Sequence, residues 1–203
     1  MLNQDESSLI ARCRDGDREA QHELFDQTVT GIHHLLLKMT GNAEDAFDVA
    51  QNTYIKAFTA IEQFDGRSNI DTWLYRIAVN EALQFFRRGK REQRKREQLA
   101  GRVAQSPESR NPGSVERSTM KMDVAAALED VEPDDRAILL LRYQEGLDYG
   151  ALGEVLDCPV GTIASRLNRA RRRIREKLEK DYGNDEETVG TRHQNIGKGS
   201  GTS

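Results

Sequence analysis

Residues 158–175, CPVGTIASRLNRARRRIR, carry the side chains best suited to chemistry in this chain, and that chemistry is recognition. Val160, Ile163, Leu167, Ala170, Ile174 and Leu178 recur every three or four positions, the spacing of a buried helical stripe. Ser165, Arg166, Asn168, Arg169, Arg172 and Arg173 then fall on the other faces. A helix held by its back and armed with arginine, serine and asparagine suits a DNA major groove. Upstream, Asp148 can cap a shorter helix with Tyr149, Leu152, Val155 and Leu156 on one face. Asp157-Cys158 makes the turn, and Pro159 suits a helix start because it needs no amide partner there. Two helices, a short turn and arginine clustered beyond it predict a helix-turn-helix. The plain alternative is a solvated basic helix in a bundle.

A second stretch, FDGRSNIDTWLYRIAVNEALQFFRR (64–88), interleaves Trp73, Tyr75, Phe85 and Phe86 with Arg67, Arg76, Asn80, Arg87 and Arg88. Unpaired bases need both a flat surface for stacking and cations for the backbone. The competing role for Trp73, Ile77 and the phenylalanines is core packing, and both hold if one ring edge is buried while the other lines a pocket. A third helix, capped by Asn42, has Phe47, Ala50, Tyr54, Ala57, Phe58 and Ile61 on its apolar face and Asp48, Gln51, Asn52 and Lys56 outward. Alone, those four polar residues mean only a solvated surface.

Catalytic patterns do not occur. There is no P-loop, HExxH, nucleophile elbow or Gly-rich dinucleotide turn, so no enzyme and no cofactor is expected. Cys13 and Cys158 lie far apart without metal-ligand spacing, and His33-His34 has no acid or cysteine placed to help it bind a metal.

The elements that must position these residues are all helical. Of 203 residues, 36% are hydrophobic and 32% charged, and no apolar run or signal peptide is evident, so a cytoplasmic protein without membrane insertion is expected. Net charge is −4, but residues 87–96 and 160–180 each carry +6, leaving −16 elsewhere. Two basic blocks on an acidic body predict local phosphate contacts, weak overall DNA affinity and the need for a partner. The expected architecture is all-α, with two small helical domains joined by a flexible linker and the helix-turn-helix in the second. The boundaries are 1–96, a linker over 97–118, 119–182, and a disordered tail over 183–203. Helices are expected at about Ser8–Arg14, from Asp17 to Gly41, and again from about Thr119, with Val124, Ala127, Leu128 and Val131 buried. Pro133 begins the next, whose Ala137, Ile138, Leu140 and Leu141 pack beneath the helix-turn-helix.

Taken together, DVAQNTYIKAF (48–58), FDGRSNIDTWLYRIAVN (64–80) and the 158–175 helix resemble an extracytoplasmic-function sigma factor of the sigma-70 family, a promoter-recognition subunit of bacterial RNA polymerase. The resemblance covers about residues 7–90 and 119–179. It implies that Asp48, Gln51 and Tyr54 dock on the polymerase β′ clamp. Arg67, Ser68, Asn69, Trp73, Asn80, Arg87 and Arg88 would bind the −10 element. At the −35 element Ser165, Arg166 and Arg169 would meet base edges or backbone, and Arg171, Arg172 and Arg173 phosphates. It further implies core polymerase (β′ clamp and β flap), promoter DNA and an anti-sigma factor as partners. The sequence departs from the family at Asn52, where an acid is usual. The alternative function is a stand-alone helix-turn-helix repressor or activator, which would need a dimer seam that the sequence does not show.

Overall fold

Four helices and a short turn build the N-terminal bundle. The computed structural model describes residues 4–99, 128 and 131–190, without the side chains of 99, 177, 180 and 181–190. Helix α1 is Gln4–Arg14, α2 Arg18–Thr40, α3 Ala43–Thr59 and α4 Ile70–Leu99, with a 3-10 turn at Ile61–Gln63. Helices α5 (Pro133–Tyr143), α6 (Tyr149–Leu156) and α7 (Val160–Gly190) follow, and no strand occurs among the described residues.

Local signals start and stop these helices. Asp17 caps α2, its carboxylate accepting from the Glu19 and Ala20 amides at 2.9 and 3.3 Å. Gly41 ends that helix in the left-handed region, φ 71°, where a side chain would strain the backbone. Asn42 then caps α3 through the Glu44 and Asp45 amides at 2.8 and 3.1 Å. Between the helices Leu24, Ile32, Leu35, Leu36, Met39, Val49, Leu74 and Val79 are buried. Each fully buried aliphatic chain contributes about 1.5–3 kcal/mol relative to exposure, so this stripe holds the bundle.

The C-terminal helices form a second cluster around Ile138, Leu141, Leu152, Val155, Ile163, Leu167 and Ala170, all buried. Asp148 caps α6 through the Ala151 amide at 2.8 Å. The turn passes through Asp157 at φ 49°, a conformation that Asp tolerates better than most side chains. Helix α6 packs across α4, and α5 packs on α2 and α4 as well as on α7. The Tyr75 hydroxyl donates to Glu145, and Arg136 donates to the Met39 carbonyl at the end of α2. Gly31 makes room for the first of these, since a Cβ there would sit 3.0 Å from the Tyr75 hydroxyl.

The structure departs from the sequence reading in six places. Helix α1 begins at Gln4, before Ser8. Phe47, assigned to the apolar face of α3, is 62% exposed, and Val160, assigned to the buried stripe, is 51% exposed. Val160 opens its helix at the turn, where no neighbour covers it fully. From Asp135 to Leu141 helix α5 is buried on all sides, Leu139 and Arg136 included, because α2 and α4 cover the face that α6 and α7 leave open. Helix α4 runs through 97–99, the start of the expected linker, and α7 continues past Tyr182 to Gly190. Leu128 is helical and half-buried and Val131 is buried, whereas the expected helix start at Thr119, with Val124 and Ala127, lies outside the described residues, as do 100–118 and 191–203.

Candidate nucleic-acid interface

The loop before α4 is fixed from several sides. Arg14 donates to the carbonyls of Phe64 and Ile61, and Glu6 accepts from the Ile70 amide at 3.2 Å. The Asp65 side chain accepts from the Arg67 amide at 3.1 Å and pairs with its guanidinium at 2.9 Å. Asn69 caps α4, its side-chain oxygen accepting from the Thr72 amide at 2.7 Å, which leaves the side-chain N–H groups for a ligand. Phe64 is buried with its ring 5.5 Å from that of Trp73. Trp73 is half-buried, so packing and base stacking are compatible there. Asn80, Arg87 and Arg88 are exposed on the same helix, Ser68 is half-buried, and Arg67 projects into solvent. Trp73, Asn80 and Arg87 stand seven residues apart and therefore share one face of α4, running away from the loop.

On α3 Asp48 and Gln51 are exposed, but Tyr54 is not. Its hydroxyl shares a 2.8 Å hydrogen bond with Thr28, and its ring meets Phe25 edge-on at 4.7 Å. Burial pushes the Tyr54 hydroxyl above its ordinary pKa, while the Thr28 bond pulls the other way. The tyrosine thus packs behind the surface that Asp48 and Gln51 present. Phe47 and Ile55, 62% and 59% exposed, flank Gln51 at i−4 and i+4 and belong to that surface instead. Glu81 of α4, buried, receives Lys56 at 2.5 Å and ties α3 to α4.

Helix α7 divides its arginines. Arg166 pairs with Asp134 and Asp135 of α5 at 3.7 and 3.4 Å, its side chain only 19% exposed. Arg173 reaches Asp135 at 3.2 Å, and Arg171 lies over the Tyr143 ring at 5.2 Å. These three hold α7 against α5. Arg166 is thus largely taken up within the protein, and Arg171 and Arg173 are engaged there as well. Ser165 is exposed and donates to the Thr162 carbonyl at 2.9 Å. Arg169 is exposed without an ion pair among the described residues, and Arg172 pairs with Glu176 at 3.7 Å. Thr162 and Asn168, not singled out as site residues from the sequence, are exposed beside them.

Among the described residues no group of His, Cys, Asp and Glu could hold a metal ion, and no helix is long and apolar enough to cross a membrane. Comparison with known proteins matches residues 24–92 to sigma-70 region 2 and residues 121–174 to sigma-70 region 4. The extracytoplasmic-function RNA polymerase sigma-E factor of Haemophilus influenzae is 32% identical, the match covering 86% of this chain and 95% of that protein. The RNA polymerase sigma-H factor of Pseudomonas aeruginosa is 34% identical, with 88% and 97% covered. Among solved structures, the sigma factor RpoE in complex with the anti-sigma factor NepR from Bartonella quintana superposes with a TM-score of 0.60 at 24% identity, covering 78% of this chain and 96% of that one. CnrH in complex with the cytosolic domain of CnrY gives 0.62 at 22%, covering 87% and 98%.

Proposed function

The chain belongs to the extracytoplasmic-function sigma factors of the sigma-70 family, non-enzymatic subunits that direct RNA polymerase to promoters, and we propose how its surfaces divide that work. Asp48 and Gln51 dock on the β′ clamp, with Phe47 and Ile55 supplying apolar area and Tyr54 supporting the helix from behind. The loop from Asp65 to Asn69, with Trp73 and Asn80, receives an unstacked base of the −10 element. Extruding a base costs a few kcal/mol, and stacking on an aromatic ring returns about 1–3 kcal/mol, so the hydrogen bonds of Ser68, Asn69 and Asn80 must supply the rest. Arg67, Arg87 and Arg88 hold flanking phosphates.

At the −35 element Ser165 and Arg169 meet base edges, Thr162 and Asn168 lie beside them, and Arg172 contacts a phosphate. Arg166, Arg171 and Arg173 set the angle of the helix. Residues 1–96 and 119–182 act as two domains joined by a linker over 97–118, the second also touching the β flap. Elements centred 25 base pairs apart lie roughly 85 Å apart along the duplex at 3.4 Å per base pair, so helices in contact must separate on polymerase. A cytoplasmic site of action and an anti-sigma partner complete the proposal, the latter because RpoE was crystallised with one.

The observation that carries this reading is the single face shared by Trp73, Asn80 and Arg87, leading out of a loop capped by Asn69. Its test is binding of the sigma–core complex to fork-junction DNA with an unpaired −10 strand. Asn80→Ala and Trp73→Ala should each weaken binding to the fork and leave binding to fully paired DNA unchanged. Equal losses on both would remove the reading.

A further inference from the structure

Helix α1 carries none of the residues assigned to polymerase or to DNA, yet it holds both ends of the loop before α4. Leu9, Ile10 and Cys13 are buried and seat it on the bundle. At 3.6 residues per turn Glu6 and Arg14 fall with those three within an arc of about 140°, so both are turned towards the bundle. At the near end of the loop Arg14 donates to the Ile61 carbonyl at 3.5 Å and to the Phe64 carbonyl. The Ile61 carbonyl also accepts the Phe64 amide at 3.2 Å, which closes the 3-10 turn. At the far end the Glu6 carboxylate accepts from the Ile70 amide at 3.2 Å. Ile70 opens α4, so that N–H has no partner within the helix, and a negative charge suits the positive end of the helix dipole.

The loop has too much chain to fix its own geometry. Residues 64–69 fully extended would reach about 20 Å, whereas Glu6 and Arg14 stand about 12 Å apart along α1. The spare length is folded locally around Gly66, at φ 73°, between Asp65 and Arg67. The ion pair of those two neighbours is exposed, with 55% and 87% of the side chains open to solvent, and such pairs add little rigidity. The ties from α1 are stronger, since each has one charged partner and both spring from a packed helix. They also lie one step from the residues assigned to the base. Phe64, whose carbonyl Arg14 holds, is buried with its ring 5.5 Å from that of Trp73. Ile70, whose amide Glu6 holds, adjoins the capping residue Asn69.

We infer that Arg14 and Glu6 are positioning residues for the base pocket, clipping the two ends of the 64–69 loop to one rigid helix and so fixing where an unstacked base meets Ser68, Asn69 and Trp73. The inference rests on the assignment of that loop to the −10 element. Neither residue touches DNA. A loop held in its bound shape beforehand has less freedom to lose when the base arrives, so the ties act on affinity for the base and not for the duplex or the polymerase.

The test uses the full chain bound to core polymerase and fork-junction DNAs with an unpaired −10 strand, either intact or carrying one abasic site at each position in turn. The position whose base matters most to the wild type identifies the base in the pocket, and the ratio of affinities for the intact and abasic forks is the readout. Arg14→Ala and Glu6→Ala should each weaken binding to the intact fork by about tenfold, within the worth of one stacked base, and to the abasic fork by less than about twofold. Glu6→Gln keeps an oxygen for the Ile70 amide and should hold the wild-type ratio. Ser8→Ala, on the exposed side of α1, should change neither fork. Core binding should be unaffected throughout, which shows that each variant is folded. The inference is overturned by unchanged ratios in the two alanine variants, by equal loss on both forks, by Glu6→Gln losing as much as Glu6→Ala, by Ser8→Ala matching them, or by loss of core binding. Failure of the underlying reading shows separately, as a wild-type chain that binds the intact and every abasic fork equally.

Discussion

Residues 87–96 and 160–180 carry the same net charge, +6, and spend it in opposite ways. On α4 the cations are exposed, and among the described residues Lys90 alone of them has an ion pair, with Glu132. On α7 Arg166 and Arg173 converge on Asp135, and Arg171 lies over Tyr143, because the start and end of α5 run alongside. The same residue type is left exposed in one place and serves as an internal tie in the other. Net charge says how many phosphates a segment could meet, and the neighbouring carboxylates decide how many of its cations are left to meet them.

Removing the carboxylates should separate the two regions most clearly. Asp135→Ala strands two guanidinium groups beside a helix that is largely out of water, and its cost should approach the lower end for a broken buried pair, about 3 kcal/mol in denaturant unfolding. Glu132→Ala, which removes the exposed partner of Lys90, should cost less than about 0.5 kcal/mol. Comparable losses would erase the distinction.

Next in size is the split within α7. Arg169→Ala should weaken −35 binding by about 1–3 kcal/mol, the worth of a good base contact, without lowering stability. Arg166→Ala should lower stability and affect DNA binding only through the position of the helix. A smaller effect sharpens the matching split on α3. Tyr54→Phe should cost about 1 kcal/mol of stability through the lost Thr28 bond and leave core binding intact, whereas Gln51→Ala should impair core binding in a pull-down and leave stability unchanged.

What was legible in the sequence was local. The caps Asp17, Asn42 and Asp148 announce themselves because the acceptor and the amides it serves are two or three residues apart. The buried stripe of α7 follows from its period at Ile163, Leu167 and Ala170. Tyr54 shares a buried face with Ala50, Ala57 and Ile61, and that period located its ring. The division between Arg166 and Arg169 was not legible, since it depends on Asp134 and Asp135 some thirty residues away. Nor was the burial of α5 on every side from Asp135 to Leu141, where its outer face is covered by helices from the other end of the chain. Phe47 keeps helical spacing with the core and yet is exposed, because none of the described elements lies over that side of α3.

The central claim is that exposed, unpaired cations read promoter DNA and pinned ones hold the reading helix. Run-off transcription with core polymerase on an intact promoter and on one with a scrambled −35 element tests it directly, using wild type, Arg166→Ala and Arg169→Ala. The account expects Arg169→Ala to reduce initiation from the intact promoter to the scrambled level and to add nothing on the scrambled one. A variant that lowers both promoters equally, or an Arg166→Ala chain that keeps full stability yet loses −35 discrimination, would contradict it.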